Sequence, residues 1–564
     1  MTETHFTSYV ELILDSLRER PERTVLRTDD GASISAGALY DAVHGMAAEL
    51  TDRGIGRGDT VALLSGNRPE TLTARYAVNL VGARVVILYE ALAAEMLARL
   101  AASVEPAALL VDPRHDARAA ELLTHHRPPL VLSFGPSEVG ADLLALAEGH
   151  RGRRVTSAAR AEDDWCVRHT GGTTGLPKGI RMAHGFHRQA LSSGTAASGH
   201  APTFLACTSL AHLAGMVADL ALLSGGRVII QRSFDPAAVY AAIERERVTD
   251  LWLLPPLLYA LLDHPARATA DLSSVRRIAY GGCAASPSRL REAAEAFGPV
   301  LNGWYGQAEA GMIATVGPAE HAVVGAAGQI TVGRPAPGVR IEIHDEHGQP
   351  LPAGESGEIC VRTPSMMNGY WKQPEATAEV LRDGWVHTGD MGYLDEDGYL
   401  FIVDRLSDKI VVVGGHVYPT DVEELLLSHP SVAACVVFGV RRPDQTEAVH
   451  AAVVPAPGHS VRPQELRAFV TDHRGAMYAP EAVRIVAEIP LTQAGKPDRK
   501  ALRALALADA DSDADADSGP VSDSGPVSDS GPVSGSGSAA GAGAGDGARA
   551  EPGVAGLGTG AGQR

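Results

Sequence analysis

Short β-branched runs alternate with helical periodicity along most of the chain. Thr60–Leu64 reads as a strand, residues 70–80 as a helix, and Arg84–Leu88 as the next strand. The runs at 109–112, 227–231, 250–254 and 277–280 repeat the theme. Strands this apolar, separated by helices, predict α/β sheets covered on both faces. Residues 9–17 alternate Val, Leu and Ile with Glu11 and Asp15, which predicts an amphipathic surface helix rather than a signal peptide. From 333 to 403, turns at 345–348, 383–384 and 395–398 separate short strands, the pattern of antiparallel β structure. An α+β pattern returns after Arg405, with 422–427 helical and 433–438 a strand, so a domain boundary is expected near 404–407.

From Asp509 onward the chain is mainly Asp, Ser, Gly, Ala and Pro, with Asp-Ser-Gly-Pro-Val-Ser repeating from Asp517, Asp523 and Asp529. Such a stretch cannot bury enough apolar area to offset its ordering entropy, so 509–564 is expected to be disordered. The whole chain has 564 residues and a net charge of −19, which argues against a nucleic-acid-binding surface. No apolar run is long enough for a membrane span. Cys166, Cys207, Cys283, Cys360 and Cys435 form no CxxC pair, which fits reduced thiols in a cytoplasmic protein.

Four segments carry candidate chemistry. His169-Thr-Gly-Gly-Thr-Thr-Gly-Leu-Pro-Lys-Gly179 is a loop able to wrap an anion. Its glycines let the backbone approach closely with N–H groups turned inward, Thr170, Thr173 and Thr174 add hydroxyls, and Lys178 adds a charge. Pro177 before Lys178, and no Ser or Thr after it, exclude a Walker A loop. Asn302-Gly-Trp-Tyr-Gly-Gln-Ala-Glu309 ends on a carboxylate suited to a hard cation such as Mg²⁺. Trp385-Val-His-Thr-Gly-Asp390, followed by Asp404-Arg405, offers a carboxylate for two ribose hydroxyls and a guanidinium to reinforce it. Gln493-Ala-Gly-Lys-Pro-Asp498 puts Lys496 on a glycine turn. Each segment alone also reads as an ordinary turn.

In this order and spacing the four segments closely resemble the adenylate-forming (AMP-binding) superfamily, which includes acyl- and aryl-CoA synthetases, peptide-synthetase adenylation domains and luciferases. The resemblance covers about 8–504. It implies an α/β fold: a large N-terminal domain, 1–404, of two helix-flanked sheets plus a β-rich subdomain, and a small mobile α+β C-terminal domain, 405–508. It assigns Lys496, Glu309 and Thr174 to catalysis, with Glu309 linked to Mg²⁺. Thr170, Gly171, Gly172, Thr173, Thr174, Gly175 and Lys178 resemble the ATP phosphate loop. Gly282, Cys283 and Ala284 resemble the stretch bordering adenine, Tyr305 opens a segment resembling the Tyr-Gly-x-Thr-Glu motif of the ATP/AMP site, Asp390 resembles the ribose-binding Asp, and Arg405 the Arg that opens the mobile domain. His212, Gly281 and Gly306 match the acyl pocket, and Gly414 and Gly415 the coenzyme A tunnel. Ser407 stands at the hinge, where Asp or Lys is usual, and Ala308 stands where the family usually has Thr.

The implied reaction joins a carboxylic acid, apolar or aromatic, to AMP from ATP with release of pyrophosphate. The acyl group then passes to the thiol of coenzyme A. Asp219 is a poor match for the Asp that binds a substrate ammonium in amino-acid-activating members. Two alternatives stay open: a stand-alone adenylating enzyme that loads the phosphopantetheine of a carrier protein, and ATP-dependent activation of nitrite, in place of a carboxylic acid, for diazotising an aryl amine. A catalytically silent scaffold is disfavoured by the joint retention of Glu309, Asp390, Arg405 and Lys496.

Overall fold

The computed structural model describes residues 6–517, apart from 89–91, 93, 170–177, 326–327, 407, 413–414, 443–446 and 493–494; for 195–198, 415–416 and 509–517 it describes the backbone alone. Residues Met1–Asp509 pack as one compact unit. The first helix, Tyr9–Glu19, starts on a capping box: the Ser8 hydroxyl accepts from the Glu11 N–H, and the Glu11 carboxylate accepts from the Ser8 N–H. Such a cap is worth about 1 kcal/mol. The helix is less superficial than its pattern suggests, because Tyr9, Val10, Ile13, Leu14 and Leu17 are all buried.

Among the described residues, one sheet has the order Ala141–Asp142, Leu130–Ser133, Ala108–Val111, Thr60–Leu64, Arg84–Leu88, Asp164–His169 and Gly179–Ala183. Its central strand, Thr60–Leu64, is buried at every position. Val61 and Leu63 enter one core, while Ala62 and Leu64 enter another on the opposite face. That is why the strand reads as a continuous apolar run instead of an alternating one.

A larger sheet runs Arg334–Pro335, Gly311–Val316, Leu301–Gln307, Arg277–Gly281, Asp250–Leu253, Thr203–Ala206, Arg227–Ile230, Thr24–Thr28 and Ser33–Ser35. The pairings from Leu301–Gln307 through to Thr24–Thr28 are parallel. The core holding Val61 and Leu63 also holds Phe204, Ala206, Trp252 and Ala279, so helices between the two sheets bury apolar side chains from both.

The expected antiparallel region is a separate sheet of Arg340–His344, Gly357–Arg362, Trp385–Leu394, Leu381–Arg382 and Leu400–Arg405. Beyond it, Val432–Arg441, Glu447–Pro455 and Ala482–Ile485 form a three-stranded sheet packed on the helices Pro419–Leu427 and Pro463–Arg474. The last helix, Arg499–Asp517, corrects one expectation: helical backbone continues into the segment expected to be disordered from 509. Alanine has the highest helix propensity, and the Ala-Asp alternation there contains no Gly or Pro. No helix among the described residues is long and apolar enough to cross a membrane. All five cysteines are free.

Candidate active site

The C-terminal ends of parallel strands are where α/β sheets expose loops for ligands. The strand Arg277–Gly281 ends in the turn holding Gly282, Cys283 and Ala284, and Leu301–Gln307 runs on to Glu309. Gly281 pairs with Trp304. A Cβ at Gly281 would collide with the Trp304 carbonyl and touch Trp252 Cη2 at 3.2 Å, so only glycine fits. Gly282 has φ of 86°, again a glycine conformation. Gly306 is equally constrained, since a Cβ there would strike the Gly311 carbonyl.

Asp390 forms the best-defined corner. Its strand pairs with Leu400–Arg405, which places Asp390 opposite Arg405. The Asp390 Oδ1 accepts from Arg405 Nε at 2.9 Å, and Oδ2 accepts from the Tyr305 hydroxyl at 2.7 Å and Gln307 Nε2 at 2.8 Å. The carboxylate is buried, but 53% of the Arg405 side chain is exposed. Burial and the adjacent Asp390 charge push the Tyr305 phenol well above its ordinary pKa, so it remains a hydrogen-bond donor.

Glu309 sits beside this corner. Its Oε1 accepts from the Tyr370 hydroxyl at 2.9 Å. The Lys178 ammonium lies 4.7 Å from the centre of the same Tyr370 ring. Tyr370 thus ties the end of the Gly/Thr loop to Glu309. The loop leaves His169 and returns at Gly179, and these two residues pair across an antiparallel hairpin. Thr170, Gly171, Gly172, Thr173, Thr174 and Gly175 lie outside the described residues, as do Ser407 and Gly414.

Lys496 approaches from the C-terminal region. Its turn is closed by Thr492, whose N–H donates to the Lys496 carbonyl at 2.6 Å. Gly495 has φ of 76°, and a Cβ there would meet Leu254 at 3.1 Å. The turn therefore rests on the end of the strand Asp250–Leu253. The Lys496 side chain is exposed along the cleft yet surrounded by protein. Desolvation and then Arg405 lower its pKa, while Cys283, Asp390 and Glu309 act in the opposite sense. Burial pushes the Cys283 thiol up to about 11. Gly415 lies elsewhere, in the hairpin of Ile410–Val412 and Gly415–Val417. That hairpin is held by the Val411 N–H donating to Glu447 at 2.9 Å.

His212 precedes the helix Leu213–Leu223 and lines a cavity with Arg168, Cys166, Leu210 and Arg75. Desolvation, Arg168 and Lys496 push its imidazole down to about 3, so it is neutral at physiological pH. Trp252 and Trp304 stack at 5.4 Å across the face of the sheet. The single methyl of Ala279 and the lack of a side chain at Gly281 on the intervening strand leave room for the two rings to meet. Trp304 also borders a second cavity, lined by Phe204, Val217, Leu220 and Ala279.

Sequence reasoning missed Tyr370, Gln307, Arg168 and the tryptophan pair. Arg168 carried a signal, as a cation that follows the apolar run Trp165–Val167 of its strand. Tyr370 and the tryptophans carried none, because their importance lies in neighbours from distant segments.

A cleft with a carboxylate–guanidinium–phenol corner, a second carboxylate and an incoming lysine suits a nucleotide. Residues 14–371 match the family model described as AMP-binding enzyme, and 421–496 match the AMP-binding enzyme C-terminal domain. The chain belongs to the AMP-binding enzyme family. Among AMP-binding enzymes and other known proteins, it is 35% identical over 516 residues to the medium/long-chain-fatty-acid–CoA ligase FadD8 of Mycobacterium tuberculosis, covering 87% of this chain and 89% of that one. It is 34% identical over 491 residues to a feruloyl-CoA synthase of Amycolatopsis, covering 85% and 95%. A solved structure, the amide bond synthetase McbA of Marinactinospora thermotolerans, superposes with a TM-score of 0.80 at 40% identity, covering 88% of this chain and 99% of that one.

Proposed function

We propose that this AMP-binding enzyme activates a carboxylic acid with ATP as an acyl-adenylate, releases pyrophosphate, and passes the acyl group to the thiol of coenzyme A. The observation that carries this reading is the approach of Lys496 to the cleft of Asp390, Arg405 and Glu309. In the first step a carboxylate oxygen attacks the α-phosphorus as the bond to the departing pyrophosphate breaks. Two anions must meet, so fixed positive charge and alignment set the rate. Lys496 supplies the charge at the transferring phosphate. Asp390 accepts the ribose hydroxyls, held in place by Tyr305 and Gln307. Lys178 and the loop 170–175 hold the departing phosphates.

Glu309 fits Mg²⁺, since its carboxylate brings the oxygen donor that a hard cation prefers. Bound there, the ion would screen phosphate charge. Residues 405–508 act as a lid that turns about 405–407, withdrawing Lys496 before the thiol enters past Gly414 and Gly415.

The acid is compact, aromatic first and medium-chain apolar second. The stacked Trp252 and Trp304 support this, because they cover the sheet at Gly281, where a long chain would otherwise continue. A second reading replaces the thiol by an amine, giving an amide; the 40% identity to an amide bond synthetase over nearly its whole length favours it.

The test is pyrophosphate release from ATP across aryl, medium-chain and long-chain acids, alone, with coenzyme A and with aryl or alkyl amines. Acid-dependent release with thioester formation supports the first reading. Amide formation without thioester selects the second. Absence of acid-dependent release with every acid refutes both.

A further inference from the structure

The antiparallel sheet carries a polar cluster apart from the nucleotide corner. One face of this sheet is apolar, with Ile343, Ile359, Val361 and Val386 buried in a common core. The pleat turns alternate residues to the other face. There the register pairs Glu342 with Cys360, Cys360 with His387, and His344 with Glu358. Three adjacent strands thus deliver an imidazole, a thiol and a second imidazole to one place.

One ligand atom from each of His344, Cys360 and His387 lies within 4.8 Å of the others. Cys360 is fully buried and His344 is 8% exposed. The Nδ1 of His387 is 3.3 Å from Cys360 Sγ and 2.8 Å from a Glu358 oxygen. One ring nitrogen has one proton or one lone pair, so it serves one of these neighbours well. His344 Nε2 faces Glu342 at 3.1 Å, whereas its Nδ1 is buried with no hydrogen-bond partner. Buried polar atoms are almost always paired, and an ion is one standard explanation of an orphan.

We propose that His344, Cys360 and His387 form a three-ligand site for a divalent transition metal of the zinc class, with water completing the coordination. Sulfur and nitrogen donors select such an ion over Mg²⁺ or Ca²⁺, which prefer oxygen. Tetrahedral zinc, with bonds of about 2.0–2.3 Å, sets neighbouring ligand atoms about 3.3–3.6 Å apart, and the Cys360–His387 contact already has that spacing. The Cys360 thiolate offsets half of the charge of the ion, and the Glu358 carboxylate beside His387 offsets more of it from outside the ligand set. The Arg382 guanidinium, 3.6 Å from Glu358, offsets part of that carboxylate charge in the metal-free protein. Glu358 also accepts from the Gly389 N–H at 3.1 Å, so the site braces the strand that carries Asp390.

The test is titration of the chelator-stripped full chain with Co²⁺, then Zn²⁺, without nucleotide. One Co²⁺ per chain should bind with a thiolate-to-cobalt charge-transfer band, and Zn²⁺ should displace it. Cys360→Ser should remove the band and weaken Zn²⁺ binding more than about 100-fold, a loss beyond that typical of outer-shell changes. Cys435→Ser should change neither. Failure of the wild type to bind Co²⁺ stoichiometrically, or a band that survives Cys360→Ser, overturns the proposal. X-ray absorption at the zinc edge of the wild type avoids any folding defect of a variant: one sulfur among the ligands supports the site, and a shell without sulfur refutes it.

Discussion

Asp219 and Asp390 have almost the same partners and opposite surroundings. Asp219 accepts from Arg75, from the Tyr76 hydroxyl at 2.6 Å, and pairs with His187 at 3.0 Å. Asp390 accepts from Arg405, the Tyr305 hydroxyl and Gln307. Around Asp219 every partner is enclosed; the Arg75 side chain is 3% exposed and that of Asp219 is 0%. Around Asp390 the guanidinium opens to the cleft. A carboxylate saturated by buried partners locks helices together and has nothing left for a ligand. A carboxylate whose cation faces solvent can exchange partners when a nucleotide arrives. Asp219 therefore cannot hold a substrate ammonium, which agrees with its poor match in the sequence.

The sharpest way to break this comparison is to remove each carboxylate. Asp219→Ala strands the buried Arg75 charge and should cost about 3–5 kcal/mol in urea unfolding. Asp390→Ala should cost far less, because Arg405 can turn to water; equal losses would erase the distinction. On activity, Lys496→Ala should lower adenylate formation about 10²–10³-fold, as loss of a preorganised charge does. It should spare thiol transfer from a supplied adenylate, measured as thioester; equal loss of both steps would contradict the rotating lid.

Asp390→Asn should raise the KM for ATP about tenfold or more, since hydrogen bonds to charged groups contribute about 1.5–3 kcal/mol. Asp219→Asn, if folded, should leave that KM unchanged. Trp304→Gly should move the preferred acid toward longer chains by opening the second cavity, read as kcat/KM across an acid series. An unchanged preference would remove the tryptophan pair from substrate selection.

The smallest effect concerns pH. Burial pushes Asp404 up to about 6, and burial with Asp421 pushes Glu424 up to about 7. Both bind protons more tightly when folded, so their stabilising contribution is complete below about pH 4 and is lost as pH rises through about 6–7. Unfolding midpoints should fall across that window, and Asp404→Asn should flatten the slope.

Much of the scaffold was legible. The strands Thr60–Leu64 and Arg84–Leu88 and the helix ending at Leu80 follow from apolar runs and periodicity, because local pattern and burial agree there. The continued helix after Asp509 was not, because composition suggested disorder while alanine propensity favoured helix. In the site, Asp390, Arg405, Glu309 and Lys496 were legible as an ordered series of motifs. Tyr370 was not, since its role depends on touching both Glu309 and the Lys178 end of the loop.

The sequence by itself determined the order of the motifs, the family they spell and the chemistry they imply, because those depend on residue type and spacing along the chain. Only the tertiary structure decided which carboxylate is locked and which is open, that two tryptophans meet across Ala279 and Gly281, and that His344, Cys360 and His387 share one face of a sheet. Each of these depends on strand register and burial, which bring together residues that no local pattern connects.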